Sequence, residues 1–272
     1  MDRDRVAELL RDRVIKEIRE KSIIDNVAIR GDIFMILENS CTVIYYPVSN
    51  EKTRGFHIKR LVNDKLEDFV FINTDKPMAE QVFGAAHEYG HICNVADKVW
   101  SLLGHEDRPS AEDEEEITNL FAAELLMPAS AFRDAFFAHM KECNIKAGRV
   151  KIEELAQVVV LLMNDFLVPY ESVRKRFKET KLMTEEAAAY LKSVETDMLK
   201  QVSVRINDQN TYLGKGTCAK TIPGLRELIE NAEEKNSVDI YVLNKIKKDF
   251  EFSETPIVGK EIEIHIGDSE DE

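Results

Sequence analysis

The stretch FGAAHEYGHICN, Phe83 to Asn94, sets His87 and His91 four residues apart, with Glu88 directly after the first histidine. Four residues span just over one helical turn, so both imidazoles project from one side and can converge on a single ion, while Glu88 turns toward the position they leave open. The surrounding sequence predicts a helix from Lys76 to Val95. Pro77 suits its first turn, and Asp75 can cap the exposed backbone N–H groups. On this helix Val82, Ala86, Tyr89 and Cys93 form the stripe that faces a core, and the two histidines form the stripe beside it. The HExxH spacing also occurs on ordinary helices. The rest of the chain must complete the site.

Catalytic zinc takes three protein ligands and leaves a fourth position for water. Glu115, 24 residues after His91, is the candidate third ligand. It lies on the next predicted helix, Glu114 to Met127 in EEEITNLFAAELLMP, which ends because Pro128 disfavours helix at the residue before it. Asn119 is one turn further along on the same face, where it can hydrogen-bond a ligating imidazole or carboxylate and fix its orientation. Glu114 and Glu116 are rivals. Helical phase favours Glu115, because Ile117, Leu120, Phe121 and Leu125 take the apolar side.

Outward from these two helices, residues 3 to 21 repeat Val6, Leu9, Leu10, Val14 and Ile18 at helical spacing, which predicts a first helix. Cys41 to Val48 reads as a strand ending near Pro47. RGFHIKR and DFVFIN read as further strands, joined by the polar stretch Asn63 to Asp68. Together these predict an antiparallel sheet leading into the histidine segment. The middle third is helical, through ASAFRDAFFAHMKE, KIEELAQVVVLLMNDF, YESVRKRFKET and TEEAAAYLKSVETDMLKQV. From Ser203 the texture changes to short mixed elements, including a proline-led helix at PGLRELIENAEEK and an alternating strand at EIEIHIG.

The blocks FINTDKPMAEQVFGAAHEYGHICN and EEEITNLFAAELLMP together resemble the ImmA/IrrE family of zinc metallopeptidases. That family shows a strand ending in asparagine, a helix with HExxH, then a glutamate four before Asn or Asp and the run FAAxLLMP. The resemblance runs from about Gly55 to Pro128 and continues more weakly through NDFLVPYESVRKRFKET. It departs at Thr118, where the family usually carries a small alanine, a change that bears on helix packing and not on ligation. The resemblance implies an α+β fold: a zincin-like core of small antiparallel sheet and active-site helices at residues 1–135. A helical, helix-turn-helix-like subdomain would follow at 136–200; the resemblance reaches no further than about residue 200, and the change of texture there sets off a mixed α/β region at 201–272. It implies Zn2+ held by His87, His91 and Glu115, with Glu88 as general base in peptide-bond hydrolysis. It further implies a protein substrate, such as a helix-turn-helix repressor. A substrate strand would lie along a sheet edge, offered by DFVFIN or its neighbour. The alternative is a peptidase fold that binds a protein partner without cutting it.

The remaining signals bound this reading. A formal net charge of −14 over 272 residues, with 32% charged residues, repels phosphate backbones. Arg174, Lys175, Arg176 and Lys178 could serve as a recognition-helix face, but no second basic element accompanies them, so direct nucleic-acid binding is not expected. No apolar run approaches a membrane span, the opening helix is charged, and Cys41, Cys93, Cys143 and Cys218 show no CxxC pair, which together predict a cytoplasmic protein with reduced thiols. His57 and His139 read as structural, His105 as a surface-loop residue and His265 as outward on its strand. LGKGT, Leu213 to Thr217, lacks the glycine a phosphate loop needs at Gln209 and reads as a turn. Tyr45, Tyr46 and Tyr89 are candidate oxyanion donors, of which Tyr89 falls on the core stripe of its helix, and the sequence singles out none of the three.

Overall fold

A computed structural model describes residues 2–22, 28–50, 52–146, 148, 150–192, 196–206 and 213–252. The expected strand EIEIHIG lies outside these residues. Among the described residues, no helix is long and apolar enough to cross a membrane.

A two-residue turn organises the sheet. Asn63 and Asp64 both take left-handed conformations, with φ of 48° and 61°, the geometry whose twist matches that of a tight hairpin. They join β2 (Gly55–Val62) to β3 (Lys65–Asn73) in antiparallel register, from Gly55 opposite Ile72 to Val62 opposite Lys65. β1 (Thr42–Tyr46) lies on the other side of β3 and runs parallel to it, so the order is β1-β3-β2. The sheet is therefore mixed, which corrects the expectation of a small antiparallel sheet. The cause is the connection at residues 47–54, which starts β2 at the end of the sheet where β1 stops. β2 then opposes β1, and β3, folding back through the hairpin, must run with it. Burial follows composition: Val70 and Ile72 of the central strand are fully buried, while β2, carrying His57, Lys59 and Arg60, takes an edge.

The outer edge of β1 is covered by a later segment. Tyr45 and Thr221 exchange two backbone hydrogen bonds of 2.9 Å. The same segment reaches the start of the histidine helix, where Met78 N donates to Lys215 O at 3.1 Å and Cys218 N to Thr74 O at 2.9 Å. Gly216 is needed there, because a Cβ would lie 2.6 Å from Asp75 O.

That helix, α4 (Met78–Ile92), begins after Pro77, and no side chain caps it. The capping expected of Asp75 is replaced by a tie one turn earlier. The buried Asn73 carboxamide accepts from Val48 N at 2.9 Å and donates to Val48 O and Thr53 O, both at 2.8 Å. α5 (Val95–Leu102) follows at once, because Asn94 adopts a left-handed φ of 50° that stops α4. α6 (Ala111–Leu126) starts a turn before Glu114 because Ser110 caps it, accepting from Asp113 N at 3.1 Å, with Glu112, Asp113 and Glu114 favoured beside the positive end of the helix dipole.

α4 and α6 touch where Gly90 meets Thr118. A Cβ at Gly90 would lie 2.8 Å from Thr118 Cγ2 and 2.9 Å from Phe121 Cδ1. Thr118 is fully buried and donates its hydroxyl to Glu114 O at 2.8 Å. The larger residue fits because the opposite helix has no side chain at the crossing.

The amino-terminal helix runs as α1 (Arg3–Leu9), a π-helical Leu10–Ile15 and α2 (Lys16–Ser22), with Val6, Leu10 and Val14 in the core. α3 (Asp32–Glu38) precedes β1. Beyond Pro128 come α7 (Ala129–Glu142), α8 (Ile152–Phe166), α9 (Tyr170–Glu179), α10 (Glu185–Leu191) and α11 (Thr196–Ile206). Phe132, Phe136, Phe166 and Phe177 pack α7, α8 and α9 together. Arg176 on α9 is buried. Its Nη2 donates to Glu124 Oε2 of α6 at 2.6 Å and its Nε to Met127 O at 2.9 Å. Arg174 is bound to Glu171 at 2.5 Å with its side chain 14% exposed. Of the four cations read as a basic face, only Lys175 and Lys178 are exposed.

The described chain falls into two compact units, Met1–Pro223 and Gly224–Glu272. In the second, α12 (Leu225–Glu234) and α13 (Ile240–Asp249) pair through Ile229 and Leu243, and Lys247 binds Glu233 at 2.6 Å.

Candidate metal centre

α4 and α6 place three ligand-type atoms at one point. His87 Nε2 and His91 Nε2 are 3.1 Å apart, and the Glu115 carboxylate lies 3.4 Å from the first and 3.5 Å from the second. A tetrahedral ion with bonds of about 2.1 Å holds its ligand atoms about 3.4 Å apart. These separations, measured to Glu115 Oε2 from His87 and to Oε1 from His91, are close to that spacing. Two imidazoles and one carboxylate, with the carboxylate side chain 58% exposed and each imidazole 15% exposed, leave a fourth position open toward solvent. Among the described residues this is the one grouping of three such side chains within 4.8 Å of one another.

Neighbouring side chains contact both rings. Burial lowers the pKa of His87, and the adjacent His91 lowers it further, against the opposing pull of Glu115 and of a hydrogen bond from the ring to Asn119. Burial and the second ring thus favour the neutral imidazole, the form with a lone pair to give. Asn119 also donates to Glu115 O at 2.7 Å, so it touches the setting of two of the three ligands. His91 Nδ1 lies 3.1 Å from Glu114 Oε1. A carboxylate there holds the proton on Nδ1 and leaves Nε2 for the ion. Glu114, a rival for ligation in the sequence, instead lies against the ring of His91, a candidate ligand.

Glu88 is buried, with 6% exposure. Burial, and then the charge of Glu115, push its carboxyl up to about 7. Its Oε1 lies 3.5 Å from where a Gly55 side chain would begin, so the edge strand leaves room around the carboxylate.

The other histidines and the tyrosines separate clearly. His105 stacks on Trp100 with ring centroids 4.2 Å apart, and His139 on α7 binds Glu142 of the same helix and Asp165 of α8. Tyr45 donates to Glu38 at 2.7 Å, Tyr46 lies under Lys220, and Tyr89 packs on Phe121. His57 is different. It lines a cleft of about 240 Å³ together with His91, Glu114 and Arg108, and its Nε2 is 2.5 Å from Asp68 Oδ1. Its position could have been found only through the hairpin register, since it has no ligand-spaced partner in sequence. The same register decides which of the two strands named for the substrate can offer its edge. DFVFIN is the central strand β3, paired on both sides, and β2 carries the open edge among the described residues.

The family model for the IrrE N-terminal-like domain matches residues 38–178, just over half of the chain. Among solved structures, a Mycobacterium tuberculosis transcriptional regulator is similar at 15% identity and a TM-score of 0.39, over 65% of this chain and 52% of that one. The chain thus spans about half the length of that structure, and a likeness this slight carries no argument. No curated protein matches the chain.

Proposed function

The chain belongs to the IrrE N-terminal-like domain family, and from that premise we propose that its metallopeptidase-type domain is an active zinc endopeptidase. The observation that carries this reading is the triangle of His87, His91 and Glu115 with the buried Glu88 directly beside it. A structural ion would have no use for that carboxylate. The donor set suits zinc, which when bound supplies a water acidified to a pKa near 7 and polarises the scissile carbonyl.

The chain's own residues do the rest. Glu88 takes a proton from the attacking water and passes it to the leaving amine, the general-base role that its place beside the ligand triangle allows. Asn119 and Glu114 hold the two imidazoles so that both Nε2 atoms face the ion. The open edge of β2 takes the substrate as an added strand next to Glu88. The proposed substrate is a regulatory protein, such as a helix-turn-helix repressor, as the resemblance implies.

Mass spectrometry of a candidate helix-turn-helix repressor after incubation with the zinc-loaded chain tests the proposal. One or two discrete cuts are expected, abolished by 1,10-phenanthroline and restored by added zinc. An intact partner bound stably to the zinc-loaded chain would replace peptidase by binding module.

A further inference from the structure

β2 meets the centre with one face and one edge. Asn73 N donates to Arg54 O at 2.8 Å, and Gly55 stands opposite Ile72. In an antiparallel ladder, residues bonded to the partner strand alternate with residues whose backbone groups point away. Arg54, Phe56 and Ile58 therefore bond toward β3, and Gly55, His57 and Lys59 direct both N–H and C=O to the open edge.

The side chains of those three residues share the face turned to α4. Gly55 lies beside Glu88, and two residues on, His57 and Lys59 line the cleft with His91, Asp97, Arg108 and Glu114. His57 is fixed there. Its side chain is 14% exposed and its Nε2 is held by Asp68 Oδ1 at 2.5 Å, an oxygen that also lies 3.8 Å from Lys59 Nζ. In the neutral ring, Nε2–H donates to that carboxylate and Nδ1 is left as an acceptor.

Resting on the metallopeptidase reading, we propose that His57 is a substrate-contacting residue on the His91 side of the metal, oriented by Asp68. An extended peptide along β2 meets it twice, through its outward backbone groups and through Nδ1, which accepts a peptide N–H. Asp68 is a positioning residue that acts through the ring. Both lie outside the HExxH and Glu115 blocks, and the pair assigns the cleft to recognition of the peptide flanking the cut.

The test measures hydroxamate binding to the zinc-loaded protein, separately from cleavage. Acetohydroxamic acid reports the metal alone. Tri-alanine hydroxamate and a succinyl hydroxamate of Ala-Ala extend from the metal in opposite directions. For His57→Ala, at least one peptide probe should bind about tenfold more weakly, the scale of one lost hydrogen bond with its contacts, while acetohydroxamic acid changes less than about twofold. His57→Gln, which keeps an acceptor, should recover most of the loss, and Asp68→Asn should fall between. Equal binding of both peptide probes to wild type and His57→Ala would overturn the assignment. Failure of the wild-type protein to hold zinc or acetohydroxamic acid would overturn the metallopeptidase reading itself, and this inference with it.

Discussion

Glu88→Gln is expected to leave zinc content at the wild-type level and to lower kcat/KM for the substrate by about 10²- to 10⁴-fold, the range that a positioned general base contributes. Glutamine keeps the volume and the hydrogen-bonding reach of the side chain. The packing between α4 and β2 is therefore preserved. What it loses is the ability to accept a proton from water and return one to the amine. Glu88 is 6% exposed and sits next to His87 on the ligand-bearing helix, so no solvent carboxylate can replace it. Zinc stoichiometry and rate should be measured on the same preparation. Loss of both together would show a structural role, and a wild-type rate would remove Glu88 from the chemistry.

The largest stability effect is expected at Arg176. Its guanidinium is 2% exposed and paired with a Glu124 side chain that is 5% exposed. Removing one partner of a buried pair leaves an uncompensated charge, which costs about 3–5 kcal/mol. Against a typical total of about 5–15 kcal/mol, that is a large share. Arg176→Met should lower the urea midpoint accordingly. Arg11, 3.6 Å from Glu124, is too exposed to take over fully. Arg176→Met combined with Glu124→Leu should restore only part of the stability, because the Glu124 carboxylate also supports the charge of the buried Arg19. A single-variant loss under about 1 kcal/mol would mean that α9 is not anchored to α6 through this pair.

These two residues mark what the sequence could and could not show. Around Glu88 the information is local: helical spacing sets His87 and His91 together, and phase against Ile117 and Phe121 selects Glu115 over Glu114 and Glu116. Arg176 groups in sequence with Arg174, Lys175 and Lys178 on one basic helix face, because residue type points outward and its partner lies 52 positions earlier on another helix. The parallel β1 escaped for a related reason, since strand direction follows from where the connection at 47–54 ends, and no periodicity records that. His57 and Asp68 were invisible as a pair until the Asn63–Asp64 turn brought their strands into register. Thr118 drew notice as a departure in sequence, and its compensation, Gly90, lies on the other helix.

The central claim is a three-ligand hydrolytic centre, and X-ray absorption at the zinc edge of the protein loaded with one equivalent of metal tests it most directly. The predicted spectrum shows nitrogen and oxygen donors at about 2.0–2.1 Å, with outer-shell scattering from two imidazoles that falls to one in His87→Ala. A sulfur shell at about 2.3 Å, or a spectrum unchanged by His87→Ala, would contradict it.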